Sequence, residues 1–148
     1  VIGHHAHILR GVDVHRGRPI FHGLGNFVSV TRALSGPAGN SPERQAWAER
    51  RQKLFGFVPD PTMPAYPFHP DSRHTMVACC RIDAAGAVRS WLVPCWIDPQ
   101  ARPVPLQRDE RGEAMFEYLR HITASAKLNA QYAWEGGHIT VSAAGGRA

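Results

Sequence analysis

The chain has 148 residues, 43% hydrophobic and 20% charged, the balance of a globular domain and not of a disordered chain. Its formal charge of +5 favours anionic partners such as a phosphate, a polyanionic polymer or an acidic lipid surface, but no Lys/Arg block interleaved with aromatics marks a nucleic-acid groove. No apolar run approaches the roughly 20 residues needed to span a bilayer. The three cysteines, Cys79, Cys80 and Cys95, lack C-x-x-C spacing, which argues against a disulfide frame or a zinc knuckle and for reduced, mostly buried thiols.

Val1–Gly3 reads as the end of a buried strand that runs into Gly3-His4-His5-Ala6-His7. If that run is extended, side chains alternate faces, so His5 and His7 point one way and His4 the other. Two imidazoles at i and i+2 can share a metal centre, while a metal takes roughly four to six ligands, so the remainder must come from elsewhere. Val12–His15 alternates as a strand. Arg16-Gly17 is a turn signal, and Arg18–Phe21 returns as the second arm of a hairpin. Gly23–Asn26 is a tight backbone passage, in which Asn26 either bonds a ligand or ties its own turn, and the structural role is the expected one. Phe27–Val30 again reads as strand.

Beyond a Ser/Gly/Pro/Asn loop, Ser41 is a good N-cap, with Pro42 at the first helical position. The helix Glu43–Phe55 follows, with Trp47, Leu54 and Phe55 turned inward and Arg44, Arg50 and Arg51 on a solvated face. Pro59–Pro70 is a proline-rich connection that holds Tyr66, Phe68 and His69. Arg73 and His74 stand where a loop beside the site would reach an anionic substrate, or else belong to a strand-entry turn in which Asp71 bonds its own backbone. Thr75–Ile82 and Ala87–Trp96 form a hairpin about the turn Asp83–Gly86, and Pro94 implies an edge position or a bulge. Asp98–Pro105 is a loop. Asp109–Ala126 carries Met115, Leu119, Ile122 and Ala126 on one stripe and is a core-packing helix with acidic residues at its start. His138–Val141 is a short strand, and residues 143–148 form a flexible tail.

The stretch Gly3-x-His5-x-His7, then Arg10-Gly11-Val12-Asp13-Val14, then Gly17-Arg18-Pro19-Ile20-Phe21, then Leu24-Gly25-Asn26-Phe27 resembles the CapA-type family. These are poly-γ-glutamate capsule-biosynthesis proteins of the metallophosphoesterase, or calcineurin-like, superfamily. Ala6 stands where the family has proline, and His22-Gly23 where it has Tyr-Ser, which marks a different pocket wall. The resemblance implies that residues 1–142 are the C-terminal part of one αββα sandwich, with a mostly antiparallel or mixed sheet and two helices. It implies His5 and His7 as ligands of one or two divalent ions (Zn, Mn or Fe), completed by residues of an upstream segment. His4 and His22 are then the candidates for acid–base work, since an unperturbed imidazole titrates near neutrality. Asn26 and Arg73 are candidate pocket residues. The implied partner is an anionic polymer or a phosphorylated or γ-glutamyl substrate. The implied location is the bacterial cell envelope, with any membrane anchor upstream.

Three functions are compatible with these residues: a metal-dependent hydrolase, a non-catalytic polymer-binding or scaffold protein, and a self-contained small metal-binding domain. One fold hosts many functions, so the choice rests on the site.

Overall fold

A computed structural model describes residues 1–32 and 34–144. They form, in chain order, β1 (Val12–His15), β2 (Arg18–Phe21), α1 (Pro42–Phe55), a 3-10 turn (Pro70–Arg73), β3 (His74–Ile82), β4 (Val88–Ile97), β5 (Pro103–Pro105), α2 (Glu110–Ser125), β6 (Ala130–Glu135) and β7 (His138–Ala143). β1 and β2 make a two-stranded sheet; the other strands make a five-stranded one, in the order β3-β4-β7-β6 with β5 added to β4. Every strand pairing is antiparallel. The result is a small mixed α/β arrangement with two helices and antiparallel sheets, in general kind the one the sequence predicts.

Local chemistry accounts for these elements. Arg16 and Gly17 both have positive φ (49° and 72°), the backbone that a two-residue turn needs to match the strand twist, and they set the register His15↔Arg18. The Ser41 hydroxyl accepts from the Arg44 amide at the start of α1, and the Asp109 carboxylate accepts from the Gly112 amide at the start of α2. In β4, Pro94 lies between the residues that pair with β7 (Ser90–Leu92) and those that pair with β5 (Cys95–Ile97). A residue's N–H and C=O point to the same side of its strand. The donor that proline lacks therefore falls in the gap between β7 and β5, and its carbonyl accepts from the Leu106 amide (2.8 Å). An interior strand tolerates proline here because its neighbour on that side changes.

The main core joins the hairpin to the large sheet. Leu9, Val12, Val14 and Phe21 pack with Met76, Leu92 and Ile139, and Met115 and Leu119 of α2 close the cluster. Asn129 serves the free edge of β1 like a short strand. Its Oδ1 accepts from the Val14 amide (2.8 Å) and its Nδ2 donates to the Val14 carbonyl (3.0 Å). A second, smaller core of Met63, Tyr66, Ile97 and Ala101, with Phe68 against it, joins the proline-rich connection to the end of β4 and the loop after it.

Several expectations are corrected. α1 buries no residue, and Leu54 and Phe55 are exposed. Its apolar groups serve arginines: Arg51 lies over the rings of Trp47, Phe55 and Phe57, and Arg44 lies over Trp47. Arg51 is thus half-buried and not on a solvated face. Phe27–Val30 is not a strand; its backbone finds no partner strand among the described residues, and Phe27, Val28 and Val30 are exposed. Val1 and Ile2 are exposed too, although their backbone pairs with β2. Cys95 is buried, which pushes its thiol pKa up to about 11, but Cys80 is exposed. The end of the expected loop Asp98–Pro105 is β5. β6, unmarked in the sequence reading, pairs along the whole of β7. Ala143 ends β7, and residues 145–148 of the expected tail lie outside the described residues.

Two measurements check this architecture. Leu119→Ala removes a fully buried side chain and should cost about 2–5 kcal/mol in a denaturant melt, whereas Leu54→Ala at an exposed site should stay within about 0.5 kcal/mol. Burial lowers the His74 pKa, so on acidification the unfolded chain takes up this proton first. That contribution to stability is complete above the unfolded value, about 6.5, and is lost as pH falls below it. The melting temperature should drop between about pH 7.5 and 5.5, and drop less in His74→Phe.

Candidate functional site

The histidine loop is slung between two backbone anchors. On one side Val1–Gly3 runs along β2: Phe21 N–H donates to the Val1 carbonyl (3.0 Å) and Gly3 N–H to the Phe21 carbonyl (2.6 Å). A Cβ on Gly3 would stand 2.7 Å from the His22 carbonyl oxygen, so only glycine fits. On the other side Arg10 N–H donates to the Gly23 carbonyl (3.1 Å), beside the bridge Leu9↔Leu24. Between the anchors His5 and His7 have φ of 85° and 58°. The run is therefore not extended, and the expected two-faced alternation does not hold. Two left-handed residues curl it instead, and bring the His5 and His7 rings to 6.4 Å between centroids, tilted by 43°.

His7 is held by a buried relay. Its Nδ1 lies 2.7 Å from Asn26 Oδ1, Asn26 Nδ2 lies 2.8 Å from the Tyr66 hydroxyl, and that hydroxyl lies 2.7 Å from the Ser72 carbonyl. The Ser72 carbonyl can only accept, so Tyr66 must give it the hydroxyl proton. Burial raises the Tyr66 pKa, which keeps that proton in place at neutral pH. Tyr66 then accepts from the Asn26 amide, Asn26 turns its oxygen to His7, and His7 donates from Nδ1. In the neutral ring the lone pair is left on Nε2. Asn26, Tyr66 and Ser72 are all at most 3% exposed, so water does not compete for the Asn26–Tyr66 and Tyr66–Ser72 bonds, while the His7–Asn26 bond at the exposed end is half-buried. Phe68 stacks on the other side of the His7 ring (5.1 Å, 26°) and packs on Tyr66.

Asn26 reaches this position because the passage before it is pressed against β3. Gly25 has a φ of 78°, and a Cβ there would lie 2.9 Å from the His74 carbonyl oxygen. Thr75 Oγ1 and Met76 N–H both donate to the Leu24 carbonyl. Asn26 thus does not tie its own turn, as the structural reading expected: it bridges the histidine loop to the proline-rich connection.

The other sequence candidates are more dispersed. Neither His4 nor His22 has a hydrogen-bond partner among the described residues. His4 is exposed on the loop. His22 lies on the wall of an open cleft of about 750 Å³ with Arg10, Tyr118 and His121. Arg73 donates from Nε to the Ile97 carbonyl (2.9 Å) and lies over the Trp96 ring (4.5 Å). His74 stacks on Tyr118 (4.3 Å, 13°). The strand-entry turn is capped by the His69 ring, whose Nδ1 accepts from the Asp71 amide (3.1 Å), and not by Asp71 itself. Among the described residues no group of three His, Cys, Asp or Glu side chains is arranged to hold a metal ion. Sequence reasoning gave no role to Tyr66, Phe68 or Ser72. The one signal was a tyrosine in an otherwise apolar, proline-bound stretch, since a buried hydroxyl usually has a partner.

Tyr66→Phe should strand the Asn26 amide and the Ser72 carbonyl, at a cost of about 1–3 kcal/mol. It should also release the direction of the relay. In ¹⁵N spectra of the imidazoles, neutral His7 should carry its proton on Nδ1 in the parent chain and mix tautomers in the variant. A parent His7 protonated at Nε2 would contradict the relay.

Residues 1–31 match the model of a family described as bacterial capsule synthesis protein PGA_cap. No curated protein matches the chain. The matched segment holds the histidine loop, β1, β2 and Asn26, and leaves the five-stranded sheet and both helices outside it. Among the described residues no helix is long and apolar enough to cross a membrane.

Proposed function

We propose that residues 1–142 are the C-terminal part of one CapA-type domain, built on the αββα layering of the metallophosphoesterases. In this reading it serves capsule or poly-γ-glutamate synthesis or export at the bacterial envelope as a metal-dependent hydrolase. The match over residues 1–31 supports the capsule-synthesis family, and the relay on His7 supports a metal role. A ligating histidine typically gives its second ring N–H to a carbonyl or carboxylate, which fixes the tautomer and aims the other nitrogen. Asn26 Oδ1 is such an acceptor, and His7 Nε2 is the nitrogen it leaves free.

His7 and His5 are the two ligands this chain supplies. Imidazole suits Zn or Fe, and Mn is the third metal the family resemblance implies; the two rings, 6.4 Å apart between centroids, would hold one or two such ions together with ligands from elsewhere. When bound, the metal would activate water and polarise a phosphoryl or acyl oxygen. The chain's own residues orient and shield the site. Asn26 fixes the His7 ring plane, Phe68 covers one face of it, and Tyr66 keeps Asn26 from rotating. His4 or His22 takes the acid–base role. An anionic polymer or a phosphorylated or γ-glutamyl substrate approaches from the exposed side of the loop.

Elemental analysis of the protein beside the His5→Ala/His7→Ala double variant tests this. Near-stoichiometric Zn, Mn or Fe, lost in a variant that still folds, is the expected result. No metal in either protein, with folding intact, would overturn the hydrolase and leave a polymer-binding or scaffold role.

A further inference from the structure

The outer face of the five-stranded sheet carries an arrangement that the histidine site does not use. Met76, Leu92 and Ile139 turn one face into the main core. Side chains alternate along a strand, so Arg81, Arg89, Trp91, His138, Thr140 and Ser142 belong to the opposite face. They line a shallow groove of about 570 Å³. Arg81 and Arg89 are directly opposed in the β3–β4 register. Like charges in that position repel, and the sequence could relieve them with one carboxylate. None does so: among the described residues neither arginine has an ion pair. The Asp83 carboxylate at the hairpin tip accepts from the amides of Ala85 and Ala87. Glu135, at the far end of the groove, lies 4.0 Å from His138.

We propose that Arg81 and Arg89 bind an oxyanion, a carboxylate or phosphate group, in this groove. Two arginines opposed across a strand pair, both exposed, can offer forked donors to one such group from two directions. Trp91 stands beside Arg89 on the same face, held against the His138 ring (6.0 Å) as an apolar wall. Ser142 follows on β7, while the Thr140 hydroxyl is already given to the Ala133 carbonyl (3.1 Å). This site is independent of the metal reading and stands or falls by itself.

Titration with inorganic phosphate and with citrate at low ionic strength, followed in ¹H–¹⁵N spectra, tests it. Saturable shifts of the Trp91 indole and of the Arg81 and Arg89 amides are expected, and the probe that saturates first tells phosphate from carboxylate. Arg81→Ala and Arg89→Ala should each weaken binding about tenfold, and Arg50→Ala, exposed on α1, should leave it unchanged. Arg89→Glu replaces a repulsive cross-strand pair by an attractive one; it should abolish binding while raising the melting temperature, which separates lost binding from lost folding. No saturable shift with either probe, or equal affinity in the parent and Arg89→Glu, would overturn the proposal.

Discussion

A backbone carbonyl has no proton to give, and the orientation of the candidate site follows from that constraint. The Ser72 carbonyl fixes which way the Tyr66 hydroxyl points, the hydroxyl fixes the Asn26 amide, and the amide fixes the proton on His7. Each group has one allowed role once its neighbour's is set. Reversing any link would leave a buried donor facing a donor or an acceptor facing an acceptor, at about 1–3 kcal/mol each. An exposed imidazole in a curled loop would otherwise sample both tautomers and many rotamers. Here the buried links behind Asn26 favour one orientation of the exposed ring.

That burial is a property of the fold. The relay is embedded in the second core of Met63, Tyr66, Ile97 and Ala101, and that core exists because the proline-rich connection folds back under the loop. β4 supplies Ile97 to it and, a few residues earlier, Leu92 to the main core. A single strand therefore holds both clusters in fixed relation. Gly25 lets the Asn26 passage lie directly on the start of β3, with no side chain between the two backbones. The hairpin β1–β2, the loop and β3 are thus fastened to one another by backbone contacts, which transmit position more rigidly than side chains do.

Elements with a strong local signature were legible in the sequence. The Arg16-Gly17 turn, the Ser41 cap, the long hairpin and the α2 stripe through Met115, Leu119 and Ile122 are each decided within a few residues, and all form, although Ala126, expected on that stripe, is the exposed C-cap. What failed depended on a partner elsewhere. Phe27–Val30 has strand composition but no strand beside it, so composition alone leaves it exposed. Trp47, Leu54 and Phe55 have helical spacing, yet the apolar surface of α1 is used by Arg44 and Arg51, which a periodicity count scores as the polar side. The alternation expected for His4, His5 and His7 assumed an extended backbone, and two residues in the left-handed region removed that assumption. At the site, His5, His7 and Asn26 were visible as residues, while the pairing of Asn26 with Tyr66 spans 40 positions and follows no spacing rule.

That separation bears on how much the matched segment carries by itself. Residues 1–31 contain the histidines and Asn26, but the groups that give Asn26 its direction, Tyr66 and Ser72, lie beyond it. Without them Asn26 can turn either its oxygen or its nitrogen to His7, and the two choices present opposite chemistry at Nε2: a lone pair in the first case, a proton in the second. A metal ligand requires the first. The motif therefore carries the imidazoles, and the connection after α1 fixes which nitrogen of His7 is left free. A chain that kept residues 1–31 and altered residues 59–72 would retain the pattern and lose the tautomer. For this reason the orientation of His7 is a property of two segments packed together and not of the motif alone.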